Sequence, residues 1–394
     1  MFVVAVWLMA AVTLQVSAGV GSGENAATLY QCAMSQAWGI DLEMGNEAFS
    51  EALGKLQDVR DADVNGLIAK SEGIAWFVRM AGQQPHCTWP TRLDGPFIVL
   101  GQQQQGRRLV RIMRGRVRYL TAHQRGKEAC EEWLATLRLI ERVQDPPCLI
   151  THLISAALFL SWCEVGAECA AYWSAGERQA AVRALERVRL PELARAFQGE
   201  HEIDEWIFKQ RRMGLAGRKR LLELTRYLEG EAHWLIWVPE PILRMSHRRY
   251  LELVSEYIAL LDLPLEKFRP GYEKWRARVA QVAREPMGGI FVRMANLPNH
   301  WVFLEFAYDR GRRVKLYREL LVLGLRSVDE GRAVIQGAKS QVTGQTIQYR
   351  PTRYGFVLET DLPLAERVRE VLGEQVILLR FGSEYVAPRE RERD

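Results

Sequence analysis

A chain of 394 residues, 48% hydrophobic and 26% charged, has ordinary globular composition, which excludes bulk disorder and allows one large domain or two ordinary ones. Set against one another, 53 basic and 48 acidic residues leave a formal charge of +5, too small for this length to imply a nucleic-acid partner by itself. Six cysteines do not make a cysteine-dense scaffold, and buried free thiols are the expectation for most of them.

Phe2 to Leu14 form an apolar run too short to span a bilayer comfortably, followed by Val16-Ser17-Ala18, small residues where a signal peptidase reads. Residues 1–18 are therefore expected to be a signal peptide or, if uncleaved, an N-terminal anchor. A buried first helix is the competing reading, because no Lys or Arg precedes the apolar run. Asn25 is placed to cap a helix running through Gln36, and Glu47 to Met80 reads as two further helices with Leu53, Leu56, Ile68, Ile74 and Val78 among the apolar positions. The loop from Pro85 to Pro96 carries Cys87, Trp89 and an Asp94-Gly95 turn, with Trp89 expected to plug helix ends. From Gln102 to His123, Leu109, Met113, Val117 and Leu120 face inward. Arg107, Arg111, Arg114 and Arg118 share another face, expected to be solvated and paired with acids of a neighbouring helix.

The rest of the chain reads as organised around Lys127 to Trp173. In its first half Cys130, Trp133, Leu134, Leu137 and Ile140 make one buried helical stripe, with Glu131, Glu132, Arg138 and Arg142 opposite. After the Pro146-Pro147 break, Leu149 to Trp173 contains no Lys or Arg and is apolar all round, which predicts a helix enclosed by others. Glu164 and Glu168, one turn apart, argue against lipid. Cys163 and Cys169 on this one helix cannot pair, since they point to different faces. Ser174 with Glu177 spells a capping box for the next helix.

Beyond Pro191, Leu193, Phe197, Ile203, Trp206 and Ile207 make an amphipathic helix to about Met213. Leu221 to Leu228, Ile242 to Leu261 and Tyr272 to Ala283 repeat the theme, separated by Pro239, Pro241, Pro264 and Pro270, and a last helix runs from Trp301 to Leu325. Thr346 to Arg350 and Gly355 to Glu359 flank a Pro351-to-Tyr354 turn as a hairpin, and Val376 to Phe381 offers a third strand. The expected fold is mainly α: a multi-helix antiparallel bundle or irregular helical solenoid over 25–330, a small C-terminal α+β hairpin cap over 340–386, and a disordered tail over 387–394.

Chemistry is harder to find. In Glu200-His201-Glu202-Ile203-Asp204-Glu205 a zinc-protease helix would need a second His where Glu205 stands, so an acidic helix face with a solvated His is expected. No histidine has a Glu three residues before it, as a di-iron bundle requires. There is no Gly-x-Ser-x-Gly elbow, Walker loop, Cys-x-x-Cys or dinucleotide fingerprint. No catalytic, cofactor-binding or metal-ligating residue is assigned. An alternative is a polysaccharide hydrolase or lyase with Trp173, Trp206, Trp234, Trp237, Trp275 and Trp301 lining an interhelical groove and Glu200 and Glu205 as acid and base, which would stand about 5 to 10 Å apart.

The order Cys87-Thr88-Trp89-Pro90, Asp94-Gly95-Pro96, Arg116-Val117-Arg118, Leu137-Arg138-Leu139, Pro147 with Leu149-Ile150, and Ala194 to Glu200 resembles a group of exported, mainly helical proteins of planctomycete and verrucomicrobial bacteria. Thr343-Gly344-Gln345, Tyr349-Arg350 and Gly355-Phe356 resemble the hairpin of type II secretion pseudopilin tails. The resemblance implies export and a helical body, and supplies no catalytic residues. The expectation is a non-enzymatic scaffold or binding protein of the cell envelope, periplasmic or secreted, with a protein or envelope component as partner, no nucleic acid and no cofactor.

Overall fold

The computed structural model of the chain describes residues 25–44, 48–55, 64–90, 101–227, 237–294, 301–364, 368 and 375–383. The N-terminal segment, the Asp94-Gly95 turn, Trp234 and the charged tail lie outside the described residues. Among the described residues the protein is mainly α, with fourteen α-helices and one three-stranded antiparallel sheet near the C-terminus.

The first four helices are α1 (Ala26–Met44), α2 (Ala48–Lys55), α3 (Val64–Lys70) and α4 (Glu72–Gln83). Asn25 does cap α1, accepting from the Ala27 N–H at 3.2 Å, and it also clamps Thr88 through both the backbone N–H and C=O. The helix extends beyond Gln36 to Met44 because Asp41 is held inside, accepting from the Ser50 N–H at 3.0 Å and pairing with Arg108 at 2.8 Å. Where two helices were expected up to Met80 there are three. The chain breaks at Ser71, whose hydroxyl donates to the Ile68 carbonyl. Trp89 is the expected plug: it stacks on Tyr30 and its indole N–H donates to the Arg142 carbonyl at 2.8 Å.

Three longer helices, α5 (Gly101–Ala122), α6 (Gly126–Arg142) and α7 (Leu149–Ala170), form the central layer, and α8 (Ala175–Arg187) follows. The α6/α7 pair is joined by two tryptophans in a reciprocal bond. The Trp133 indole donates to the Trp162 carbonyl at 3.2 Å and Trp162 to the Trp133 carbonyl at 3.1 Å. Gly166 makes this possible, because a Cβ there would lie 2.9 Å from the Trp133 ring. Helix α7 is long and apolar enough to cross a membrane, and half of its apolar stretch is buried, with contacts to α5, α6 and later elements. Glu168 meets Arg118 at 2.5 Å. The Ser174–Glu177 capping box forms in both directions.

One expectation fails here in an informative way. Glu132 was placed on the solvent side of α6, but it is fully buried, because Arg116 of α5 is buried opposite it. The guanidinium is bidentate on Glu132 (2.9 and 2.6 Å) and also donates to Glu72, Ser71 and the Ile68 carbonyl, while Arg79 donates to Glu132 at 2.7 Å. Likewise the arginine face of α5 is only partly solvated: Arg107 is exposed, whereas Arg118 is buried against Glu168.

The remaining helices are α9 (Leu193–Arg212), α10 (Gly214–Tyr227), α11 (Glu240–Leu260), α12 (Leu265–Arg284), α13 (Ile290–Met294) and α14 (Trp301–Glu330). Pro270 was expected between helices and instead lies inside α12. Pro264 starts that helix, with Phe268 N–H bonding the Pro264 carbonyl at 2.8 Å, and Phe268 stacks flat on Tyr308 of α14. Packing of this turn outweighs the one lost backbone donor. Strands β1 (Gln348–Thr352), β2 (Gly355–Leu362) and β3 (Gln375–Phe381) pair in that order. Pro351 and Thr352 belong to β1, opposite Phe356 and Gly355, so the hairpin turns in two residues, Arg353 and Tyr354. Phe381 closes the cap against α14, where Gly324 leaves its ring the room a Cβ would occupy.

Two hydrophobic cores result. The first is built from residues 26–188 together with 314–381, the second from residues 193–308. Helix α14 runs through both, and α9 packs on α7 at the seam.

Candidate functional site

The acidic run of α9 does not face solvent as a unit. Glu200 turns toward the start of α7, where Oε1 accepts from the Leu149 N–H at 2.8 Å, the orphan donor of a helix N-terminus. Glu205 is exposed. Five residues apart on a helix, the two point about 140° away from one another, so they do not flank a common bond. The tryptophans with described side chains do not converge either; those of Trp234 and Trp301 lie outside the description. Trp173 belongs to the first core, Trp206 and Trp275 to the second, and Trp237 is exposed.

What α9 does turn inward is His201 and Asp204. Three residues apart, they share a face, and α11 brings His247 against them. The three can each present one donor atom, Nδ1 or Nε2 from an imidazole and an oxygen from the carboxylate, with all of these atoms within 4.8 Å of one another. His247 Nε2 stands 3.4 Å from Asp204 Oδ2. The two imidazoles lie nearly parallel with ring centres 5.4 Å apart. Phe208 and Phe291 pack on the His247 ring at 5.1 and 4.7 Å, and Tyr250 completes the apolar wall. His247 is 4% exposed, while the Asp204 side chain keeps 18% exposure, so the cluster is reached from one side.

Electrostatics follow from that enclosure. Burial lifts the Asp204 pKa above the ordinary carboxylate range, and the His247 and His201 rings oppose the rise without cancelling it. Burial also raises Glu200, with the Leu149 N–H pulling down and Asp204 pushing up. Tyr250 is driven well above its usual value by burial and then by the Asp204 and Glu200 charges. The expectation of a solvated His on an acidic face is thus corrected: the periodicity of α9 alone could not show that α11 supplies a second imidazole.

A second feature is a groove of about 530 Å³ between α6 and α8, closed at one side by α4. Leu134, Ala135, Leu137, Ala184 and Val188 give it an apolar floor. Gly82 lets α4 approach α6 so closely that a Cβ would sit 3.2 Å from the Ala135 Cα. Arg79, Arg138, Arg183 and Arg187 rim it against only Glu131 and Glu141. Arg79 is engaged with Glu132 and Arg138 with Glu141. Arg183 and Arg187, one turn apart and exposed on α8, have no ion-pair partner among the described residues.

The cysteines offer no nucleophile. All six are free thiols; burial pushes Cys130 and Cys169 up to about 12 and Cys163 well above the ordinary thiol value. Compared with known protein families, with curated proteins and with solved structures, the chain finds no match.

Proposed function

We propose that the protein is a non-enzymatic binding protein of the cell envelope, exported behind its apolar N-terminal segment, and that the groove between α6 and α8 takes an acidic amphipathic helix of a protein partner. The observation that carries this reading is the pairing of an apolar floor with the uncompensated Arg183 and Arg187 at its edge. A helix laid into such a groove buries its apolar stripe on Leu134, Leu137 and Val188, and acidic residues one turn apart reach both guanidinium groups. Charge of this kind selects and steers the partner more than it adds affinity. The sequence resemblance to exported helical proteins supports the envelope assignment.

The test is fluorescence anisotropy of the full chain with a labelled helical peptide carrying Leu on one face and Glu along its edges. Saturable, salt-sensitive binding is expected, weakened at least about tenfold by the double variant R183E/R187E, since a rim of like charge repels the probe. Absence of binding, or binding indifferent to the double variant, overturns the reading.

A further inference from the structure

We infer that His201, Asp204 and His247 form a binding site for one divalent transition-metal ion of the zinc type, held between α9 and α11 by three protein ligands. The inference goes beyond the groove and does not depend on it.

His201 Nδ1, Asp204 Oδ2 and His247 Nε2 are all buried, and none has a hydrogen-bond partner. A native interior leaves few such atoms, and each calls for an explanation. Here three of them, from three side chains on two helices, converge on one point. To satisfy all three without a ligand, both imidazoles would have to donate to the same Asp204 oxygen, and neither of those hydrogen bonds is made. If His247 carries its proton on Nε2, the 3.4 Å contact with Asp204 lies outside hydrogen-bonding geometry and His201 Nδ1 still has no partner. A cation that accepts lone pairs from all three satisfies them at once.

The geometry fits such an ion. A tetrahedral centre with nitrogen and oxygen ligands at about 2.0–2.1 Å spaces its donors by about 3.3–3.4 Å. The His247 to Asp204 separation is already 3.4 Å, and the remaining donor pairs lie within 4.8 Å, so they have at most about 1.4 Å to close on binding an ion. The donor set decides the chemical class. Calcium and magnesium take oxygen ligands. Two imidazoles with one carboxylate suit zinc and its first-row neighbours, and three protein ligands leave a position for water. Phe208, Phe291 and Tyr250 wall the His247 ring, and the Asp204 side chain keeps 18% exposure. An apolar surround of this kind lowers the local dielectric and strengthens the ligand bonds.

The experiment uses the full chain, stripped with chelator and titrated with Co²⁺ as a spectroscopic stand-in for Zn²⁺. One equivalent is expected to produce visible d–d bands, without the near-ultraviolet charge transfer that cysteine ligands would give. Competition by Zn²⁺ should abolish the bands. Asp204→Asn and His247→Asn should each weaken binding at least about 100-fold, while His86→Ala and His123→Ala, on exposed histidines, should leave it unchanged. Because His247 is buried among aromatic rings and its variant could lose the fold, Asp204→Asn, checked by circular dichroism, decides the matter. A spectrum showing thiolate ligation, binding unaffected by Asp204→Asn, or no binding by the native chain would overturn the assignment.

Discussion

The two cores treat buried charge in opposite ways. In the first, every large buried ion is answered within the chain: Arg116 by Glu132, Glu72 and Ser71, Arg118 by Glu168, Arg108 by Asp41, and Arg178 by Asp329 with the Ala170 and Trp173 carbonyls. In the second, His201 Nδ1 has no hydrogen-bond partner and His247 Nε2 approaches Asp204 Oδ2 only to 3.4 Å, without a hydrogen bond. A closed network ties helices together and has no capacity left for a ligand. An open one costs stability until something outside the chain completes it. The closed network therefore points to a structural role in one region and the open one to a binding role in the other.

The contrast can be broken most severely at Glu132. Replacing it with Ala removes the one fully buried counter-ion of Arg116 and leaves the guanidinium only the more exposed Glu72, so Glu132→Ala is expected to lose about 3–5 kcal/mol in urea unfolding. A loss below about 1 kcal/mol would mean that the network is not closed as described.

The seam between the cores gives an intermediate effect. His152 of α7 is 4% exposed and neither ring nitrogen has a hydrogen-bond partner; burial, aided by the Arg310 charge, lowers its pKa to about 4. Its folded pKa lies below its unfolded value near 6.5, so the unfolded chain binds the extra proton. Stability from this group is intact above about pH 6.5 and falls as pH drops toward 4, by about 3 kcal/mol in all. His152→Leu should flatten that part of the stability-against-pH curve. An unchanged slope between pH 6.5 and 4 would place the titration elsewhere.

The smallest effect is expected in the second core, and its sign is the informative part. Asp204 is held above its ordinary pKa, so the fold disfavours its ionised form; that penalty grows as pH rises through the unfolded pKa and is complete above the folded one. In metal-free protein at pH 7, Asp204→Asn should therefore be neutral or stabilising by up to about 1 kcal/mol, against the large loss at Glu132. Marked destabilisation would show that Asp204 is already compensated by His247.

The residues readable from sequence are those whose partners are local. The stripe of Trp133, Leu137 and Ile140, the capping box of Ser174 and Glu177, the Asn25 cap and the strand that starts at Gly355 are each set within a few positions of chain. What was missed depends on distant partners. Glu132 looks like a surface residue until Arg116 is seen buried opposite it, and Pro270 looks like a break until Phe268 is seen against Tyr308. The candidate site is the extreme case, since α9 holds two of its members and α11 the third. The spacing of His201 and Asp204 was visible, but a pair at three residues is common on acidic helices. Only packing supplies His247.

Hydrogen exchange with mass spectrometry, on the stripped chain with and without one equivalent of Zn²⁺, tests the contrast between the cores most directly. Ligand that binds only the folded site stabilises the elements it joins. The account predicts increased protection in residues 193–212 and 240–260, with α4, α5 and α6 unchanged. No change on adding Zn²⁺, or an equal change in the network around Arg116, would contradict it.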